Sequence, residues 1–62
     1  MLMTIHAQTA SALLRDARNN ADLSLRELAR RAGTSHATLC AYEQSRKVPS
    51  VTTFLRILEA CG

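Results

Sequence analysis

The sequence predicts an all-α fold, a compact bundle of four short helices whose central pair is joined by a tight turn. Ser24, Ser35 and Ser50 have helix-start positions, apolar residues recur at helical spacing, and a glycine and a proline mark helix limits. The chain of 62 residues is long enough for one small core. We therefore expect a single domain over residues 1–62, with an N-terminal extension over residues 1–8.

The first helix is predicted to run from Thr9 or earlier through Asn20. A polar turn over residues 19–22 follows it, because asparagine and aspartate favour turns over helix interiors. The apolar residues of this helix repeat with the period of an amphipathic helix that rests on a core. They are Ala10, Leu13, Leu14, Ala17 and Ala21.

Both ends of the second helix are marked in the sequence. Ser24 and Glu27 have capping-box spacing, in which the serine hydroxyl accepts the N–H of Glu27 and the carboxylate accepts the N–H of Ser24. The helix should therefore begin at Leu25. Gly33 should end it, because glycine takes the left-handed conformation without steric cost. The apolar stripe of this helix is Leu25, Leu28, Ala29 and Ala32.

The third helix, predicted over about 35–43, follows after a very short link. Ser35 can cap it, so only Gly33 and Thr34 separate the two helices, and their axes must cross steeply. The unit over residues 24–44 is therefore a helix-turn-helix. Units of this shape present their second helix to the major groove of DNA.

The two faces of the third helix should have different roles. Leu39 and Tyr42 point to the core, while the opposite face could meet a ligand. On that face His36 is the strong hydrogen-bonding group, and the alanines could contact only thymine methyl groups. The predicted DNA-reading residues are His36, Ala37, Cys40 and Ala41.

The segment from about Leu13 to Gly62 resembles the helix-turn-helix domain of the phage-repressor type, the lambda and Cro-like family also called the XRE family. The resemblance implies the lambda repressor-like fold. It also implies a DNA-binding regulator of transcription, such as a repressor or an antitoxin, whose third helix recognises the major groove. The most specific matches are Leu28-Ala29, Gly33 with Ser35 two residues later, Leu39, and Tyr42-Glu43.

The resemblance also assigns roles to single residues. Family members carry an arginine in helix 1 that pairs with a glutamate at the end of helix 3, which implies a structural ion pair between Arg18 and Glu43. Two positions depart from the family pattern. Leu25 stands where members often have a phosphate-contacting glutamine, and Ser45 stands where they often have glycine.

Eight lysines and arginines against five aspartates and glutamates give a formal charge of +3, which suits a polyanionic partner. Basic residues cluster in and just after the helix-turn-helix unit, as phosphate contacts require. A solvated charged face is the alternative interpretation. Helix N-termini also attract anions, so the backbone amides next to the capping serines are further candidate phosphate contacts. The predicted phosphate contacts are Ser24, Ser35, Gln44, Arg46 and Lys47, while Arg26 and Arg30 are expected to add long-range attraction of DNA.

The fourth helix is predicted from Val51 to about Ala60 or Cys61. At about 100° per residue its apolar side spans roughly 160°, which is wider than the stripe that one core needs. The surplus edge should contact a second copy, giving a homodimer, or another protein, or be covered by the N-terminal residues 1–5. The alternative is an apolar edge left exposed. The predicted partner interface is Phe54, Ile57 and Cys61.

Several other classes of protein lack support in the sequence. Cys40 and Cys61 form no CxxC pair and share no ligand spacing with the two histidines, so neither a disulfide framework nor a metal site is predicted. The chain has no glycine-rich phosphate loop and no arranged nucleophile and base, so we expect no enzyme activity and no cofactor. With no apolar run of about 18 residues and no signal segment, we expect a cytoplasmic protein without membrane contact.

The leading functional hypothesis is a DNA-binding transcriptional regulator whose partner is double-stranded DNA. The first alternative is an antitoxin or other protein-binding module of the same fold, whose main partner is a protein. The second is the DNA-binding domain of a longer multidomain protein. A salt series separates DNA binding from protein binding, because phosphate contacts make DNA affinity fall with salt.

Overall fold

The computed structural model of the protein describes residues 7–62. These residues contain four helices and no strand, which confirms the all-α prediction. The first helix begins at Ala7, two residues inside the extension predicted over 1–8, and residues 1–6 of that extension lie outside the described residues. The helices are α1 (Ala7–Asn20), α2 (Leu25–Ala32), α3 (His36–Glu43) and α4 (Val51–Ala60).

One large apolar side chain from each helix is fully buried at the centre of the bundle. α1 and α2 each pack against both α3 and α4, so all four helices share one core. Burial of each of these side chains contributes roughly 1.5–3 kcal/mol. The four residues are Leu14, Leu28, Leu39 and Ile57.

Serine caps begin three of the helices, as the sequence predicts. The hydroxyls of Ser24, Ser35 and Ser50 accept the backbone N–H of the residue three positions later at 3.0, 3.0 and 3.1 Å. Ser24 completes a capping box, because its own N–H donates to Glu27 Oε1 at 3.0 Å. Each cap satisfies an amide that has no partner within its helix and contributes about 1 kcal/mol.

The helices α1, α2 and α3 end in the same way. In each, a backbone N–H donates to the carbonyl five residues earlier over 2.9 to 3.1 Å, which is the hydrogen bond of the Schellman motif. The residue before each donor has left-handed backbone: Asp22 with φ 56°, Gly33 with φ 70° and Ser45 with φ 62°. Ser45 thus adopts the left-handed conformation at a position where family members often have glycine. This conformation has a steric cost for serine that it does not have for glycine.

Candidate nucleic-acid interface

α3 presents an exposed N-terminus whose first turn contains no acidic residue. His36 and Ala37 are exposed, and the first turn of the helix contains no aspartate or glutamate. Ser35 Oγ accepts the N–H of Thr38 at 3.0 Å and donates to Thr38 Oγ1 at 2.8 Å, so the capping group is neutral. The positive end of the helix dipole is therefore not compensated and can attract an anion.

The N-terminus of α2 differs, because a carboxylate already occupies it. The predicted phosphate contact at Ser24 needs free amides, yet the Ser24 N–H donates to Glu27 Oε1. Hydrogen bonds from the Ser24 backbone and side chain hold the pKa of Glu27 below its ordinary value, which keeps that carboxylate charged. A phosphate here would meet a negative charge, so the structure does not support Ser24 as a phosphate contact.

The outward face of α3 retains three of its four predicted residues. His36 and Ala37 are exposed and Cys40 is half-buried, but Ala41 is only 6% exposed. Ala41 still lines a cleft on this face, but it is much less exposed than predicted, because the chain after α3 folds back beside it. The N–H of Arg46 donates to the Ala41 carbonyl at 2.9 Å, which draws this segment against the helix.

The same segment brings two cations beside the outward face of α3. Arg46 and Lys47 are exposed, and together with α3 they line an open cleft of about 440 Å³. Arg46 Nε donates to the side-chain oxygen of the exposed Gln44 at 2.9 Å, which links these two predicted contacts. The α3 residues that line the cleft are His36, Ala37, Thr38, Cys40 and Ala41.

Arg26 is not brought to this cleft. It is exposed on α2, as are Arg30 and Arg31, and none of the three lines the cleft. These arginines add positive charge to the molecule, which favours long-range attraction of DNA. The structure gives no support for a direct contact between Arg26 and a ligand in this cleft.

A bidentate ion pair fixes α3 against α1. Arg18 Nε donates to Glu43 Oε2 at 2.7 Å and Arg18 Nη2 donates to Glu43 Oε1 at 2.9 Å. Arg18 Nη1 also donates to the Leu23 carbonyl at 3.0 Å. The two side chains are 17% and 8% exposed, and the hydrogen bond with Glu43 raises the pKa of Arg18. This is the pair that the family resemblance implied.

Arg15 is a residue whose role the sequence analysis missed. Its Nη2 donates at 2.7 Å to the Glu43 carbonyl, the last carbonyl of α3. A cation at this end also complements the negative end of the helix dipole. Arg15 lies three residues before Arg18, a spacing that puts both on one side of α1 and could have indicated a joint role. Two arginines therefore hold the C-terminal end of the candidate recognition helix.

The predicted partner interface on α4 is wrong for two of its three residues. Phe54 is 6% exposed and Ile57 is 0% exposed, and both belong to the core. The wide apolar side of α4 is explained by its two neighbours, because α4 packs against α1 and α2 together. Cys61 is half-buried, and this burial raises the pKa of its thiol. The exposed apolar residues around α4 are instead Val48, Val51 and Leu55.

Three further features bear on the kind of site present. Within residues 7–62, no group of three or more His, Cys, Asp or Glu side chains is arranged to hold a metal ion. Cys40 and Cys61 are free thiols. In the described part of the chain, no helix combines the length and the apolar character that crossing a membrane requires.

Comparison with protein-family models supplies the deciding observation. The model of a helix-turn-helix domain matches residues 10–62, which is most of the chain. The chain belongs to the helix-turn-helix domain family. The match covers α2, α3 and α4 of this helix-turn-helix domain completely, and α1 from its fourth residue. Comparisons with curated proteins and with solved structures gave no significant match.

Proposed function

We propose that this helix-turn-helix domain is a DNA-binding transcriptional regulator that places α3 in the major groove. The observation that carries the proposal is the exposed N-terminus of α3 beside Arg46 and Lys47 at one cleft. In units of this type the second helix enters the groove, and neighbouring cations contact the phosphates. A cytoplasmic location is part of the proposal, since Cys40 and Cys61 are free thiols.

His36 is the proposed base-reading residue. It is exposed at the first position of α3, and its outward neighbours Ala37 and Cys40 offer only apolar or weakly polar contact. An imidazole can donate to guanine N7 or O6 without the bidentate fit of arginine, so discrimination should be about 1 kcal/mol. The preference of the His36→Ala variant for a selected duplex over a random one should therefore be about fivefold smaller. Its affinity for the random duplex should hardly change.

Fluorescence anisotropy with a labelled random-sequence duplex over a salt series tests DNA binding itself. The double variant Arg46→Ala, Lys47→Ala should bind all duplexes more weakly, with the salt slope reduced by about 1 for each phosphate that the variant no longer neutralises. Arg56→Ala is the matched control, because Arg56 is an exposed arginine of α4 that does not line the cleft. No complex at low salt would reject DNA binding, whereas an unchanged slope would remove both cations from the interface.

A second candidate function, binding of a protein partner, is favoured by the exposed apolar residues around α4. Val48, Val51 and Leu55 are 51%, 50% and 52% exposed. Val51 and Leu55 are four residues apart on a helix, so they lie on one side of α4. This surface, in place of the predicted one, is our proposed contact for a homodimer or for the protein partner of an antitoxin. Sedimentation equilibrium tests it, since wild type should associate and Leu55→Ser should not. A wild type that stays monomeric with and without DNA would reject self-association.

A further inference from the structure

We propose that the cleft beside α3 takes the C5-methyl group of a pyrimidine in the major groove. The domain should therefore prefer thymine or 5-methylcytosine at the base that faces this cleft. This inference rests on the proposed DNA binding and adds the chemical group that is read. It follows from which atoms form the α3 side of the cleft.

The α3 side of the cleft carries three adjacent apolar groups. Ala37 is exposed, Cys40 is half-buried, and Ala41 closes the cleft at 6% exposure. Residues three and four apart are neighbours on a helix surface, so Cys40 and Ala41 both adjoin Ala37. A free thiol packs as a small apolar group and is only a weak donor. This part of the cleft offers apolar contact and little hydrogen bonding.

Several polar groups that line the cleft are held by other residues or suited to phosphate. Thr38 Oγ1 accepts a hydrogen bond from Ser35 Oγ at 2.8 Å, and Arg46 Nε is directed to Gln44 at 2.9 Å. The charges of Arg46 and Lys47 suit phosphate oxygens. His36 is therefore the cleft residue best placed to exchange a hydrogen bond with a base edge.

The C5-methyl group is the one protruding apolar group among those that distinguish the base pairs in the major groove, where the others are mainly hydrogen-bond donors and acceptors. A donor or acceptor pressed against Ala37 and Cys40 would lose water without gaining a partner, which costs free energy. A methyl group has no such cost, and its removal from water corresponds to about a fourfold gain in affinity. Methylated cytosine carries the same group at C5, so the same contact serves both bases.

The DNA side of the test starts from a duplex that the 62-residue chain selects from a random pool. Each thymine is replaced in turn by deoxyuridine, which removes only the methyl group. We expect binding about fourfold weaker at one or two positions. At those positions a cytosine paired with guanine is then compared with a 5-methylcytosine paired with guanine. Tighter binding of the methylated base would show that the methyl group is read rather than the thymine O4 atom.

The protein side of the test alters the cleft. Ala37→Ser places a hydroxyl there and should bring the ratio of deoxyuridine to thymine Kd close to 1, with the salt slope unchanged. Ala12→Ser is the matched control, because Ala12 is an exposed alanine of α1 outside the cleft, and it should keep the fourfold ratio. Cys40→Ser is a second variant with nearly the same volume as wild type, and circular dichroism verifies that each variant folds.

The outcomes distinguish the methyl contact from DNA binding as such. Equal affinity of wild type for thymine and deoxyuridine duplexes, with salt-dependent binding intact, overturns the methyl contact and leaves the proposed function standing. Absence of salt-dependent binding to any duplex overturns the proposed function, and this inference with it. A fourfold thymine preference that survives Ala37→Ser and Cys40→Ser also overturns the inference, since the methyl group is then read elsewhere.

Discussion

Replacing Arg18 by methionine should destabilise the domain far more than the loss of an exposed ion pair would. Arg18 donates two hydrogen bonds to the Glu43 carboxylate and one to the Leu23 carbonyl. Methionine keeps the apolar stem but donates nothing, so Glu43 stays in place without its cation. Because the Glu43 side chain is only 8% exposed, water cannot fully replace the missing arginine.

The expected magnitude follows from the burial of the pair. Exposed pairs contribute about 0.2–1 kcal/mol, whereas removal of one partner from a fully buried pair costs about 3–5 kcal/mol. Exposures of 17% and 8% put this pair nearer the buried limit, with some water at the arginine. We expect Arg18→Met to cost about 2–4 kcal/mol. Glu43→Gln should cost about 1–2 kcal/mol, because glutamine still accepts a hydrogen bond from Arg18.

Urea unfolding followed by circular dichroism measures these costs. The free energy of unfolding of a domain of this size rarely exceeds about 3–5 kcal/mol, so all variants are compared in the same stabilising osmolyte. The control is the double variant Arg18→Met, Glu43→Leu, which strands no charge and should recover most of the stability. A cost below about 0.5 kcal/mol for Arg18→Met, or a double variant no more stable than the single one, would refute the reasoning.

Three further predictions concern the ends of the helices. Ser45→Gly should be more stable than Ser45→Ala by about 1 kcal/mol, because both lose the hydroxyl bond to α1 but only alanine keeps the cost of φ 62°; equal urea midpoints would contradict this. Hydrogen bonds from the cap of α2 hold the pKa of Glu27 in the folded protein below its ordinary value of 4.5. The ionised carboxylate therefore stabilises the fold fully above pH 4.5. This contribution disappears as the pH falls through the lowered pKa of the folded state. Stability below pH 4.5 should therefore fall more steeply for wild type than for Glu27→Gln, and parallel curves would count against the capping box. Arg15→Met should cost about 1 kcal/mol by freeing the last carbonyl of α3, while Arg56→Met on exposed α4 surface should cost nearly nothing in the same urea assay.

Helix limits were predictable because the groups that set them are close together in the chain. A cap and its N–H partner lie three residues apart in the sequence, so the start of each helix could be predicted one residue after its cap. The three caps are Ser24, Ser35 and Ser50. The Arg18–Glu43 pair joins residues 25 apart. Its prediction came from the family resemblance, because the known fold of the family includes which distant residues are in contact.

Most of the predictions that failed needed the position of a segment outside the helix concerned, whereas Ser24 failed because its N–H already donates to Glu27, three residues away. Helical periodicity gives the angle of a side chain about its own axis, but not what lies opposite that angle. Ala41 is covered by the chain that returns after α3, and Phe54 and Ile57 are buried on α4, which packs against two helices instead of one. Arg15 was missed because its partner is a main-chain carbonyl 28 residues away, and its spacing from Arg18 indicates only that both lie on one side of α1.

The division of α3 into two faces lets recognition diverge independently of folding. Leu39 and Glu43 attach the helix to the rest of the molecule, while His36, Ala37 and Cys40 point away from these attachments. Exchanges at such outward positions usually change stability by less than about 0.5 kcal/mol. Under the proposed function, arginine, glutamine or asparagine at the exposed positions His36 and Ala37 could bring a new base preference with little change in stability. Evolution or protein engineering could then obtain domains of different DNA preference from this scaffold by changing residues in the first turn of α3.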